Sequence, residues 1–350
     1  MIYRITKSLL LRQLLLLLGI AVARANAAEQ AKLNLFIWSD YIDPALVKQF
    51  EQRHGCKVTV DLYEDAESML AKLQGGGDSL YDVVVAPDHV IKPMLKLHLL
   101  APLRHQNITN LANLDPSFRN PPYDRGNKFT VAYQWGTVGI FAKRDNALPQ
   151  SWGLLFDPKQ QPGPFLLIDS VRDTLGAALK YQGHSFNSTN ISELKAARQL
   201  VLDAKGRSSG FEGSVGAKNK VLAGNVHCAI VYNGEGVRGM QENKGTIFFI
   251  PREGSQIWLD NMVILAKAPH RDLAERFLNF ILEPEVGAQL SSFTQFASPN
   301  KASVPYLRPE DLANPVIYPP EEMRKKLEFL EDLGSSATLY DEIWTQIKAH

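Results

Sequence analysis

Between residues 33 and 97 the chain alternates short β-favouring runs with segments of helical spacing, and this alternation restricts the fold more than any other feature. Leu33-Asn34-Leu35-Phe36-Ile37-Trp38 reads as a strand. Pro44 then opens a helix through residue 50. Residues 58–63 are the next strand, Asp65 caps a helix over 69–73, and Gly75-Gly76-Gly77 stops it. Tyr81-Asp82-Val83-Val84-Val85 has the composition of a buried parallel strand, and helical spacing resumes over 90–97. Strands and helices in this order predict an α/β domain with a mostly parallel sheet.

A second series of the same kind starts near Phe141. Strands are expected at 165–168, 228–232, 246–250 and 261–265, with helices after Arg172 and at 191–204, 272–282, 321–330 and 339–348. No repeat and no Gly/Ser linker divides the two series. Roughly 320 residues beyond a leader exceed what one compact core usually organises. Two lobes joined by short extended crossings are therefore expected. Residues 28–137 and 260–306 fall to the N-terminal lobe, and 138–259 and 307–350 to the C-terminal lobe.

The leader is residues 1–27. Arg4, Lys7 and Arg12 form a basic front, an apolar run covers 14–22, and Ala25-Asn26-Ala27-Ala28 supplies small residues for cleavage. This pattern reads as a secretory signal peptide, with a centre short for a membrane anchor, which is the competing reading. Work outside the cytoplasm, in the periplasm, is the expectation. The leader holds four of the 38 basic residues (Arg4, Lys7, Arg12, Arg24) and none of the 37 acidic ones, so the remainder carries 34 − 37 = −3. That balance offers no basic surface for nucleic acid and suits a cationic ligand. Cys56 and Cys228 fall in different expected lobes, where a disulfide would block a hinge, so two free buried thiols are expected. C-x-x-C, H-E-x-x-H and G-x-S-x-G are all missing, and the eight histidines are scattered. Neither a metal or cofactor site nor a set of catalytic residues has sequence support. A monomer is expected.

Gly234-Glu235-Gly236-Val237-Arg238-Gly239 formally fits the dinucleotide fingerprint G-x-G-x-x-G and follows a strand. The Glu235 charge would oppose phosphate, however, and a tight turn presenting Glu235 is the preferred reading. More informative are aromatic–carboxylate sets near the ends of expected strands: Trp38/Asp40/Tyr41, Tyr232/Glu235 and Trp258/Asp260. Any one of them is as well explained by core packing and loop capping. Three together would converge on the crevice at the strand ends of an α/β sheet. An indole face attracts an ammonium by about 0.5–2 kcal/mol, and a carboxylate adds a charge-assisted hydrogen bond. A flexible diamine, cationic at both ends and apolar between, complements such a pocket.

Four stretches carry a resemblance: Trp38-Ser39-Asp40-Tyr41-Ile42, Tyr81-Asp82-Val83-Val84-Val85, Trp135-Gly136-Thr137 and Ile257-Trp258-Leu259-Asp260. Over about residues 33–340 the chain resembles the bacterial periplasmic spermidine/putrescine-binding proteins. The resemblance implies a two-lobed periplasmic-binding-protein fold of type II kind, with a polyamine in the interlobe cleft and delivery to an ABC permease. It implies ligand contacts by Trp38, Ser39, Asp40, Tyr41, Trp258 and Asp260, which match directly, and by Asp173 beside Arg172. It further implies Tyr232 where Trp is usual, Glu235 where putrescine-type members carry an acid, His89 where an aromatic or Ser often sits, and Phe296 in place of a tyrosine. Ala86-Pro87 lacks a hydroxyl contact, and Ser170 and Leu330 replace polar groups of spermidine-type members. These departures favour putrescine or a similar short amine. Another aminated solute, such as an amino-acid conjugate or quaternary amine, stays open; a secreted two-lobed enzyme and a metal receptor are more distant alternatives.

Overall fold

The structure, a computed structural model, describes residues 31–349; the expected leader lies outside the described residues. Ten strands form one sheet: β1 (Ala31–Trp38), β2 (Cys56–Tyr63), β3 (Val83–Pro87), β4 (Thr130–Lys143), β5 (Phe165–Ile168), β6 (Phe211–Glu212), β7 (Cys228–Tyr232), β8 (Thr246–Phe249), β9 (Ser255–Ile264) and β10 (Leu327–Phe329). Their order is β2-β1-β3-β9-β4-β7-β5-β6, with β8 on β4 and β10 on β9. Pairing is parallel for β2-β1-β3 at one end and for β7-β5-β6 at the other, and antiparallel where β4 and β9 join them.

The helix starts follow local chemistry. Asp43 caps the helix Pro44–His54 by accepting from the Ala45 N–H, and Gly55 at φ 61° ends it. Asp65 does the same for Ala66–Gln74 through the Ser68 N–H. Helix Arg271–Ile281 buries Ala274, Phe277, Leu278 and Ile281, the stripe its spacing predicts.

β4 and β9 hold the two halves together. The first part of β4, through Thr137, pairs with β9; from Val138 onward it pairs with β7 and β8. One backbone thus passes from one half to the other without a turn. Cys56 and Cys228 are buried free thiols, the first on β2 and the second on β7.

Several expectations are corrected. Trp258 and Asp260 lie inside β9, not ahead of a strand beginning at 261. The expected helix 321–330 is one turn, Glu321–Arg324, followed by β10. Helices Ser214–Leu222 and Pro284–Thr294 were not foreseen. The glycine-rich run is not a turn but the start of helix Asn233–Glu242. Its glycines serve close packing: added Cβ atoms would lie 2.6 Å from Phe296 at Gly234 and 2.3 Å from Phe248 at Gly236 and from Phe141 at Gly239. Burial against rings overrides the poor helix propensity of glycine.

Gly136, at the changeover in β4, has the same tightness. A Cβ there would come within 2.3 Å of Asn233 Oδ1 and 2.5 Å of the Trp258 ring. Gly136→Ala should therefore cost about 1–3 kcal/mol by overpacking, lowering the melting temperature by roughly 2–12 °C. Gly206→Ala, where φ is −58° and an added Cβ would meet nothing nearer than 3.7 Å, should leave it nearly unchanged. Equal melting temperatures for the two variants would contradict this packing.

Candidate binding site

The site grows from the ends of β1 and β3, the middle of β9 and the end of β7. After Trp38 the chain turns at Asp40, whose φ of 52° is tolerated by a short polar side chain. The turn leaves Asp40 exposed and sends Tyr41 inward, 4% exposed. The Ser39 hydroxyl donates to Glu64 Oε1 at 2.5 Å. On β9, Trp258 and Asp260 are alternate residues and share a face. Asp260 sits opposite Pro87 of β3.

These elements bring rings together. The Tyr41 ring lies 6.4 Å from Trp258, 5.6 Å from Phe296 and 5.2 Å from Tyr133, each edge-on. Trp258 meets Phe296 at 4.9 Å and Tyr232 at 6.0 Å, also edge-on. The Tyr133 hydroxyl donates to the Tyr41 carbonyl at 2.7 Å and fixes that turn. Trp38 leans on Tyr63 at 4.3 Å, and the Tyr63 hydroxyl donates to the Val85 carbonyl.

Carboxylates line the same space. Asp260 is 6% exposed, and among the described residues no lysine or arginine pairs with it. Burial pushes its pKa up to about 8; the Tyr41 hydroxyl, turned toward it but short of hydrogen-bond geometry, opposes the shift, and Asp88 adds to it. Asp88 is itself buried at the start of helix Asp88–Lys96, where Oδ1 accepts from the His89 N–H at 2.7 Å and Oδ2 from Leu259 N–H at 3.4 Å. Half-buried His89 stands beside it and acts on Asp173. Asp173 lies in the first turn of helix Val171–Tyr181, capped by Ser170. Its Oδ2 accepts from the Tyr232 hydroxyl at 3.0 Å. Burial raises the Asp173 pKa against the hydrogen bonds from Ser170 and Tyr232. Glu235 is buried beside Arg238, which donates to Oε1; burial raises its pKa despite that cation. The Trp38 and Trp258 indole nitrogens, the Tyr41 hydroxyl, Asp173 Oδ1 and Glu235 Oε2 are buried without a hydrogen-bond partner among the described residues. Such a concentration of unmet polar atoms is what a polar ligand would satisfy.

The sequence-derived residues thus separate into groups. Tyr41, Tyr232, Trp258, Asp260 and Phe296 form one cluster, with Asp173 tied in through Tyr232 and His89 through Asp88. Trp38 flanks it beside Tyr63. Ser39 and Asp40 turn toward the rim, and Glu235 is held by Arg238. Sequence reasoning missed Tyr63, Asp88 and Tyr133. Asp88 carried a signal, an acid just past the expected strand end; Tyr133 had none, because β4 itself was not recognised.

The fold, two-lobed α/β with β4 and β9 joining its halves, is that of the periplasmic binding proteins. The chain belongs to the bacterial extracellular solute-binding protein family, matching its profile over residues 45–320. It is 30% identical over 335 residues to the spermidine/putrescine-binding periplasmic protein of Escherichia coli K12, covering 95% of this chain and 96% of that one. The putrescine/cadaverine-binding protein of Pseudomonas aeruginosa is 31% identical over 354 residues, covering 97% and 99%. Among solved structures, the spermidine/putrescine ABC transporter substrate-binding protein PotD of Streptococcus pneumoniae aligns with a TM-score of 0.78 at 29% identity, covering 91% of this chain and 99% of that one. No helix among the described residues is long and apolar enough to cross a membrane.

The Asp260 carboxyl has a consequence for ligand-free stability. Its pKa is about 8 when folded and about 3.9 when unfolded. Between these values the folded protein holds a proton that the unfolded chain has released. Stability from this group is therefore full below about pH 4 and is lost as pH rises through about 8. Thermal unfolding of ligand-free protein should show Asp260→Asn gaining on the wild type from pH 5 to pH 8. A difference independent of pH would contradict the assignment.

Proposed function

We propose that the chain is the extracytoplasmic receptor of an ABC importer, binding a diamine of the putrescine class between two hinged lobes and presenting it to the permease. The observation that carries this reading is the buried Asp260 carboxyl without a cationic partner, on the same strand face as the Trp258 indole. An alkylamine keeps a pKa near that of lysine, about 10.4, so it arrives charged. Its ammonium is the counter-ion that Asp260 lacks. Tyr41 and Tyr232 both meet Trp258 edge-on, one beside Asp260 and the other bonded to Asp173. Two carboxylates are thus served by one indole, and a chain with a cation at each end matches them. Phe296 and Trp38 complete an apolar sleeve for the methylenes.

This reading is capture without chemistry. Lobes of residues 28–137 with 260–306, and 138–259 with 307–350, would hinge where β4 and β9 pass between them. Because both lobes touch the ligand, it favours the closed state by the contacts made only there. The closed monomer is what the permease would recognise, in the periplasm after cleavage of residues 1–27. The polyamine names of the E. coli and P. aeruginosa relatives support the ligand class.

A thermal-shift panel of putrescine, cadaverine, spermidine, spermine, agmatine and simple amino acids should give its largest shift with a short diamine, since binding stabilises the folded state by mass action. By calorimetry, Asp260→Asn should weaken putrescine binding about 100-fold or more, because a buried ammonium loses its counter-ion. Trp258→Ala should weaken it about 10- to 100-fold through lost stacking and burial. No shift with any amine, or unchanged affinity in Asp260→Asn, would overturn the reading.

A further inference from the structure

Helix Asn233–Glu242 begins directly after Tyr232, the residue whose ring meets Trp258, so its first turn borders the site. Glu235 lies in that turn, 4% exposed, with Arg238 on the same helix face three residues on. The guanidinium donates to Oε1, whereas Oε2 is buried and has no partner among the described residues. Asp40, on the loop that carries Tyr41, adds a small electrostatic contribution at Glu235. The nearby Lys218 is committed elsewhere, to Glu242 at 2.9 Å.

We infer that Arg238 is a specificity-determining residue: a cation of the protein's own that occupies the Glu235 carboxylate and withholds it from a third ammonium group. The inference rests on the amine-receptor reading above. A guanidinium is charged at every accessible pH, so the Glu235–Arg238 pair presents no net charge. Among the described residues, Asp260 and Asp173 are the buried carboxylates of the site left for a ligand, since both oxygens of Asp88 already accept backbone N–H groups, from His89 and Leu259. A dication matches their number. A triamine brings one ammonium more. It must share Glu235 through Oε2 with the Arg238 guanidinium, displace that guanidinium, or settle for the exposed rim acid Asp40. Sharing sets two cations against each other, displacement leaves a buried charge uncompensated, and an exposed pair gains little. Discrimination then comes from what the site refuses as much as from what it holds.

Two substitutions should move selectivity in opposite directions. Arg238→Gln frees the Glu235 carboxylate, and the ratio of spermidine to putrescine affinity should rise about tenfold, the scale of one modest charge interaction. Glu235→Gln leaves Arg238 as a bare cation at the same place, and the ratio should fall by about as much. Both ratios come from titration calorimetry on wild type and variants, with melting temperatures recorded alongside. A structural role alone would weaken both ligands together and leave the ratio fixed. Wild type that binds putrescine, with ratios unchanged in the variants, would overturn the role of Arg238 and leave the receptor reading intact. Wild type that binds neither amine would overturn the receptor reading itself. If Arg238→Gln does not fold, Glu235→Gln decides alone: a lowered ratio supports the inference and an unchanged one ends it.

Discussion

A carboxyl group buried without a cation is the constraint around which this protein is arranged. Asp260 is placed by the pairing of β9 with β3 and β4, so it cannot swing out to water without disturbing the centre of the sheet. The hydroxyl-bearing rings of Tyr41, Tyr63 and Tyr133 stand near it, and little of it reaches solvent. An ionised carboxylate there is expensive, and the group responds by holding its proton to unusually high pH. The proposed ligand resolves the conflict, since an ammonium converts a neutral acid into one half of an ion pair.

On the proposed reading, the position of that acid also links binding to shape. β4 and β9 belong to both halves, and the site lies where β4 changes partner from β9 to β7. Asn233 reinforces the junction: its Oδ1 accepts from the Thr137 N–H at 2.9 Å, and its Nδ2 donates to the Val316 carbonyl at 3.0 Å. The same residue crowds Gly136, which in turn makes space for Trp258. The proposed ligand contacts and the strands that cross between the halves therefore share residues. On that reading a guest that orders the rings would also order the crossings.

Much of this was legible in the sequence because local signals were strong. Asp65 and the triple glycine bracket a helix, and alternation in 33–38 gives β1 almost to the residue. The i, i+2 spacing of Trp258 and Asp260 put ring and acid on one face once a strand was granted. What escaped has physical causes. β4 is buried along nearly all of its length, so it shows no polar alternation, and Gly136 and Gly139 look like breaks until their ring neighbours are seen. Glycines likewise hid helix Asn233–Glu242, and without a helix the three-residue spacing of Glu235 and Arg238 carries no meaning. Tertiary packing, not propensity, decides both elements.

The central claim is that a buried, protonated Asp260 gives up its proton to pair with the arriving ammonium. Calorimetry of putrescine binding at pH 7, repeated in buffers of different ionisation enthalpy, counts protons released per ligand. With a pKa of about 8 in the ligand-free protein, release of close to one proton is the result this account predicts. Binding with no proton release, or uptake of one, would contradict it.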